Sequence, residues 1–116
     1  MTEEAYAVEE TIESRTLHNG RNFSFKTDRV RLSNGRETVR DVVDHPGAVA
    51  IVPVDGDTLV LVRQYRYAVG KALLEIPAGT LEPGEEPYGC AVRELQEETG
   101  YAASGWSRLL SCYMAP

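Results

Sequence analysis

Strand-like runs fill the first half of the chain, and glycine-bearing pairs punctuate them. Asn19-Gly20, Asn34-Gly35 and Asp55-Gly56 are tight-turn signals of the kind that close hairpins. Strands are expected near 9–18, 22–32, 37–44, 48–54, 58–66 and 73–76, with a last one near 106–114. The first three predict a small antiparallel sheet.

The period changes after Pro77. Tyr88, Ala91, Val92 and Leu95 recur at intervals of three and four, the spacing of an apolar helical stripe. At about 100° per residue that stripe is centred opposite Glu97 and lies beside Glu94 and Glu98. Pro87 suits the first turn, Glu85 and Glu86 complement its positive end, and Gly100 suits the C-cap. Ahead of the helix, Pro77-Ala78-Gly79 reads as a loop following the apolar run 72–76. Gly79 allows a backbone turn that presents a carbonyl or amide to a ligand, and Gly84 allows a second sharp bend.

Length and composition set limits on this picture. At 116 residues and 42% hydrophobic content the chain is expected to be one soluble domain at the small end of what buries a good core. No apolar run approaches a membrane span, and the acidic N-terminus is unlike a signal peptide, so no membrane role and a cytoplasmic location are expected. A net charge of −6 argues against a nucleic-acid surface. Cys90 and Cys112 form no disulfide framework and have no metal-ligand spacing. Cys90 reads as a small helix residue and Cys112 as core; His18 and His45 receive no role, and Trp106 reads as a packing or surface residue.

Seven of the eighteen acids lie between Glu75 and Glu98, so the negative charge is local. Glu94, Glu97 and Glu98 share a helix face, where like charges repel by about 0.2–0.5 kcal/mol per pair. A solvated acidic face is the ordinary reading of such a cluster. A bound hard cation is the alternative, since Mg²⁺ takes oxygen ligands and combines a few carboxylates with substrate phosphates. Arg93, one turn before Glu97, is placed to pair with it.

The register Gly79, Glu85, Arg93-Glu94-Leu95, Glu97-Glu98 and Gly100 resembles the Nudix hydrolase signature, departing from it only at Tyr101, where an aliphatic residue is usual. The flanks, His45-Pro46-Gly47-Ala48, Arg63-Gln64-Tyr65-Arg66 and Leu74-Glu75-Ile76-Pro77-Ala78-Gly79, look like the ADP-ribose pyrophosphatase branch. So does Pro116, sixteen residues beyond Gly100. The resemblance implies an α+β Nudix fold, an α/β/α sandwich around a mixed sheet, with an N-terminal antiparallel sheet as an extension. It places an N-terminal hairpin region at 1–44 and the Nudix domain at 45–116, the latter expected to be truncated at its C-terminus because family members continue past Pro116.

The implied activity is metal-dependent hydrolysis of the diphosphate of ADP-ribose or a similar nucleoside diphosphate derivative, with Mg²⁺ as cofactor and Mn²⁺ as a substitute. Glu94, Glu98 and the Ala78 carbonyl would ligate metal, and Glu97 would hold a second metal or orient water. Arg93 would position the carboxylates and Glu85 would tie loop to helix. Arg66 would hold the diphosphate, with Arg63 a weaker candidate. The general base is either Glu97 or a group beyond Pro116. A homodimer is implied as well, in which Arg36 or Arg40 reaches a phosphate bound by the partner. A Nudix enzyme for another nucleotide sugar or dinucleotide, and a non-catalytic ADP-ribose-binding module, are the competing readings.

Overall fold

A computed structural model of the chain describes residues 7–115; Pro116 lies outside them. The chain divides into two compact units, Met1–Gly47 and Ala48–Pro116.

The first unit is an antiparallel meander of β1 (Glu10–Asn19), β2 (Ser24–Arg31) and β3 (Glu37–Asp44). Its two turns fall where the Asn-Gly pairs stand. At the second, Gly35 has φ of 84°, and the Arg36 N–H donates to Asn34 Oδ1 at 3.0 Å. Strand β1 carries irregularities at Ile12 and Leu17, each an extra residue against a continuous β2. Val30 and Asp28 are the buried residues of this unit. On the other face of β2, Arg29 bridges Glu13 and Glu37, and Arg31 pairs with Glu10. These exposed pairs fix cross-strand register more than they add stability.

The second unit is built from short antiparallel pairs and one helix. The expected strand 48–54 appears as β4 (Ala48–Ala50) and β5 (Val54–Asp55), interrupted at Pro53, which has no N–H to give a ladder. The expected strand 58–66 divides into β6 (Thr58–Leu59) and β7 (Val62–Arg66). Strand β5 pairs with β6 around Gly56, and β7 pairs with β8 (Lys71–Glu75) around Gly70, both glycines having positive φ. Residues read from sequence as a loop form β9 (Ala78–Thr80), which pairs with β4. Among the described residues no strand forms at 106–114. That stretch pairs with no described strand, and Leu109, Leu110 and Cys112 are exposed, so Cys112 is not core.

Helix α1 (Pro87–Thr99) starts with Pro87 in its first turn and ends at Gly100, whose φ of 76° closes the cap through its N–H to the Gln96 carbonyl. Its buried residues are Cys90 and Leu95, packed with β4 and β9 near buried Ile51 and Pro77. The packed face is rotated from the expected stripe by about a quarter turn: Tyr88 and Val92 are exposed, while Glu94 is half-buried. The cause is the glycine in β9, which leaves room for a carboxylate where an apolar side chain would otherwise sit. Trp106 meets Tyr88 edge to face at 5.8 Å, a packing contact. Among the described residues no helix is long and apolar enough to cross a membrane.

Candidate active site

The loop between β9 and α1 is folded by its own sequence. Glu82-Pro83-Gly84-Glu85 forms a turn in which the Glu85 N–H donates to the Glu82 carbonyl at 2.9 Å, with proline second and a positive-φ glycine third. The Glu82 N–H in turn donates to Glu85 Oε1 at 3.1 Å. Glu85 is thereby fixed with its carboxylate toward the helix.

Arg93 meets it there. The guanidinium holds Glu85 side-on, Nε to Oε2 at 2.8 Å and Nη2 to Oε1 at 2.9 Å. Nη1 donates to Glu94 Oε1 at 2.9 Å and to Glu97 Oε2 at 3.0 Å. Nη2 also reaches the Thr80 carbonyl and the Cys90 sulfur. Arg93 is only 26% exposed, so these bonds form with much of the solvent removed. They raise its pKa, Glu85 first, and hold the Glu85 carboxyl at about 2 against the usual 4.5, through Arg93 first and then the Glu82 N–H. Burial pushes the Cys90 thiol up to about 11, with help from Glu85.

Gly79 supplies the cradle for Glu94. A Cβ built on Gly79 would fall on the Glu94 carboxylate itself. A side chain at this position would therefore require the Glu94 carboxylate to move. One residue earlier, the ladder decides the direction of a carbonyl. The Pro77 carbonyl accepts from the Ile51 N–H at 2.8 Å, so antiparallel alternation turns the next carbonyl, that of Ala78, away from β4.

This donor set fits a hard divalent cation in its chemistry: an outward main-chain carbonyl and carboxylate oxygens, with one guanidinium against three carboxylates leaving the cluster acidic. Among the described residues, however, no three carboxylate, thiol or imidazole side chains converge on one point. Arg93 draws Glu94 and Glu97 toward itself, and Glu98 stands exposed.

The arginines separate. Arg66 and Arg63 stand three apart on β7 and so face opposite sides of the strand. Arg66 is held by Glu75 through Nε and Nη2, both at 2.8 Å, a pair to which the sequence reading gave no role. Arg36 sits in the β2–β3 turn of the first unit, and Arg40 Nε bonds Glu9 at 2.7 Å.

Comparison with known proteins bears on this arrangement. The NUDIX domain family matches residues 44–114, more than half of the chain. The chain belongs to the Nudix family. It is 47% identical over 109 residues to the ADP-ribose pyrophosphatase of Mycobacterium tuberculosis, covering 92% of this chain and 53% of that protein. It is 42% identical over 109 residues to the methanol dehydrogenase activator of Bacillus methanolicus, covering 93% and 59%. The crystal structure of an ADP compounds hydrolase superposes with a TM-score of 0.81 at 31% identity, over 98% of this chain and 63% of that one. The α+β Nudix fold is thereby established. The chain spans between half and two thirds of the length of these Nudix relatives.

Two expectations follow from the site. Gly79→Ala should cost about 1–3 kcal/mol of stability, the range for overpacking, read from the urea midpoint; a midpoint equal to wild type would mean that the Glu94 carboxylate moves aside freely. Glu85 has a folded pKa below its unfolded value, so its contribution is present above about pH 4.5 and drains away as the pH falls toward 2. Stability of Glu85→Gln should therefore fall less steeply than that of wild type across this window. Parallel pH curves for the two proteins would rule out the Glu85–Arg93 pair as the source.

Proposed function

We propose that the protein hydrolyses the diphosphate of ADP-ribose, giving AMP and ribose 5-phosphate, with Mg²⁺ as cofactor and Mn²⁺ able to replace it. The observation that carries this reading is the Glu94 carboxylate seated against Gly79 and anchored by Arg93, beside the outward Ala78 carbonyl. The likeness to an ADP-ribose pyrophosphatase supports the choice of substrate.

The Ala78 carbonyl, Glu94 and Glu98 would hold the cation, and Glu97 would hold a second one or act on water. When bound, the cation supplies neutralising charge for the phosphate oxygens and makes water more acidic. The chain's own residues do the rest. Arg93 occupies Glu97 Oε2 and leaves Oε1 to take the proton of the attacking water. The water oxygen bonds to one phosphorus as the bridging P–O bond breaks, and the leaving phosphate carries the electron pair away. Arg66 presents the Nη1 end of its guanidinium to the diphosphate. A base beyond Pro116 is the alternative to Glu97.

Similarity to an ADP compounds hydrolase supports a second reading, in which another nucleoside diphosphate derivative is the substrate. Homodimerisation through the first unit, with Arg36 reaching the partner's phosphates, and a cytoplasmic location complete the proposal. Exposed Val39 and Val43 on β3 support the dimer.

AMP release from ADP-ribose is expected with Mg²⁺ and absent with a chelator. Glu94→Gln and Glu98→Gln should each lower turnover by at least about a hundredfold, roughly 2.7 kcal/mol of transition-state stabilisation, with the fold retained by circular dichroism. Near-normal rates in either variant would overturn the ligand assignment. Light scattering at micromolar concentration should give twice the chain mass, and a monomer there would remove the dimer.

A further inference from the structure

The β7–β8 hairpin gives Arg66 two neighbours of opposite effect. Register places Lys71 directly across from Arg66, and Glu75 across from Val62. All four residues share one face, with Gln64 and Leu73 between the two pairs. A like charge directly across a strand pair is unfavourable. Arg66 extends lengthwise instead, to the far end of the hairpin, where both Glu75 oxygens accept from it. Glu75 is the less exposed partner, 25% against 45% for Arg66, so the carboxylate is the fixed half of the pair.

The choice of donors matters. A side-on pair through Nε and Nη2 fixes the plane of the guanidinium and its rotation about the side-chain axis. Among the described residues Nη1 has no acceptor, so both its hydrogens stay open. Arg66 also lies near enough to the helix for Glu98 to add, after Glu75, to the rise in its pKa. Arg66 is thus within electrostatic reach of the acidic helix face.

We propose that Glu75 is a positioning residue, which holds the Arg66 guanidinium in the plane and rotation needed to receive a substrate diphosphate on Nη1. The inference rests on the reading of Arg66 as the diphosphate's partner. The opposite role has an opposite sign. If Glu75 masked Arg66 and competed with phosphate, removing it would tighten substrate binding. Positioning requires that removal loosen it, because a long side chain released from its carboxylate must be ordered again at each binding event.

The experiment is steady-state AMP release from ADP-ribose with Mg²⁺ by wild type, Glu75→Ala, Glu75→Gln, Arg66→Ala and the Arg66→Ala/Glu75→Ala double variant, with a thermal midpoint for each. Glu75→Ala should raise KM about tenfold, the low end for losing a charge-assisted contact, while kcat changes less than about twofold. Glu75→Gln keeps one acceptor oxygen and should fall between wild type and Glu75→Ala. The double variant should be no worse than Arg66→Ala, since Glu75 acts only through that arginine. A general structural role would instead make the two losses add and would move kcat and the thermal midpoint together.

A KM for Glu75→Ala that is unchanged or lower overturns positioning, as do additive losses in the double variant. If Glu75→Ala does not fold, the same comparison is made with Glu75→Gln, for which a wild-type KM overturns the idea. Wild-type KM and kcat in Arg66→Ala would remove the arginine's role, and this inference with it, while leaving ADP-ribose hydrolysis standing. No AMP from wild type would sink the functional reading itself.

Discussion

The Arg93 guanidinium binds a loop carboxylate, two helix carboxylates and a strand carbonyl at once, and the site is arranged around it. Three acids next to one another on a loop and a helix would separate without a cation among them. The side-on bond to Glu85 fixes the plane of the guanidinium, which then fixes where Nη1 points and so where Glu94 and Glu97 lie. Lysine at this position would offer a point charge and no plane. The depressed Glu85 pKa is the thermodynamic trace of the same bond.

Two backbone features complete the arrangement without contributing a side chain. Gly79 lets a helix carboxylate lie against a strand, which accounts for the burial of Glu94 on a face where an apolar residue would be ordinary. The β4–β9 ladder directs the Ala78 carbonyl outward because its neighbour is used in pairing with Ile51. Both are consequences of β9, a three-residue strand. The acidic face of α1 is thus positioned by a very short piece of sheet, with Pro77 and Leu95 buried beside it.

Turn chemistry and charge spacing were the legible parts of the sequence. The Asn-Gly pairs located the hairpins of the first unit, the second through the positive φ of Gly35. The helix termini were readable from Pro87 and Gly100, and the Arg93–Glu97 pair from its one-turn spacing. The packed face of α1 was not, because periodicity counts apolar residues, and here glycine and a salt-bridged carboxylate fill part of the interface. Strand β9 was missed since Ala78 and Gly79 do not favour a strand and Pro77 precedes them; pairing with β4 decides it. The stretch 106–114 has strand-forming residues, yet it pairs with no described strand. Glu75 left no local trace at all, as its partner Arg66 is nine residues away and comes near only through hairpin register.

Cys90 sits beneath Arg93 with its thiol fully buried and its pKa up at about 11. At neutral pH such a sulfur is almost wholly protonated, and the protonated form is neither nucleophile nor good ligand. Burial also shields the sulfur from peroxide, so the core of this acidic motif contains a cysteine that is silent toward oxidation.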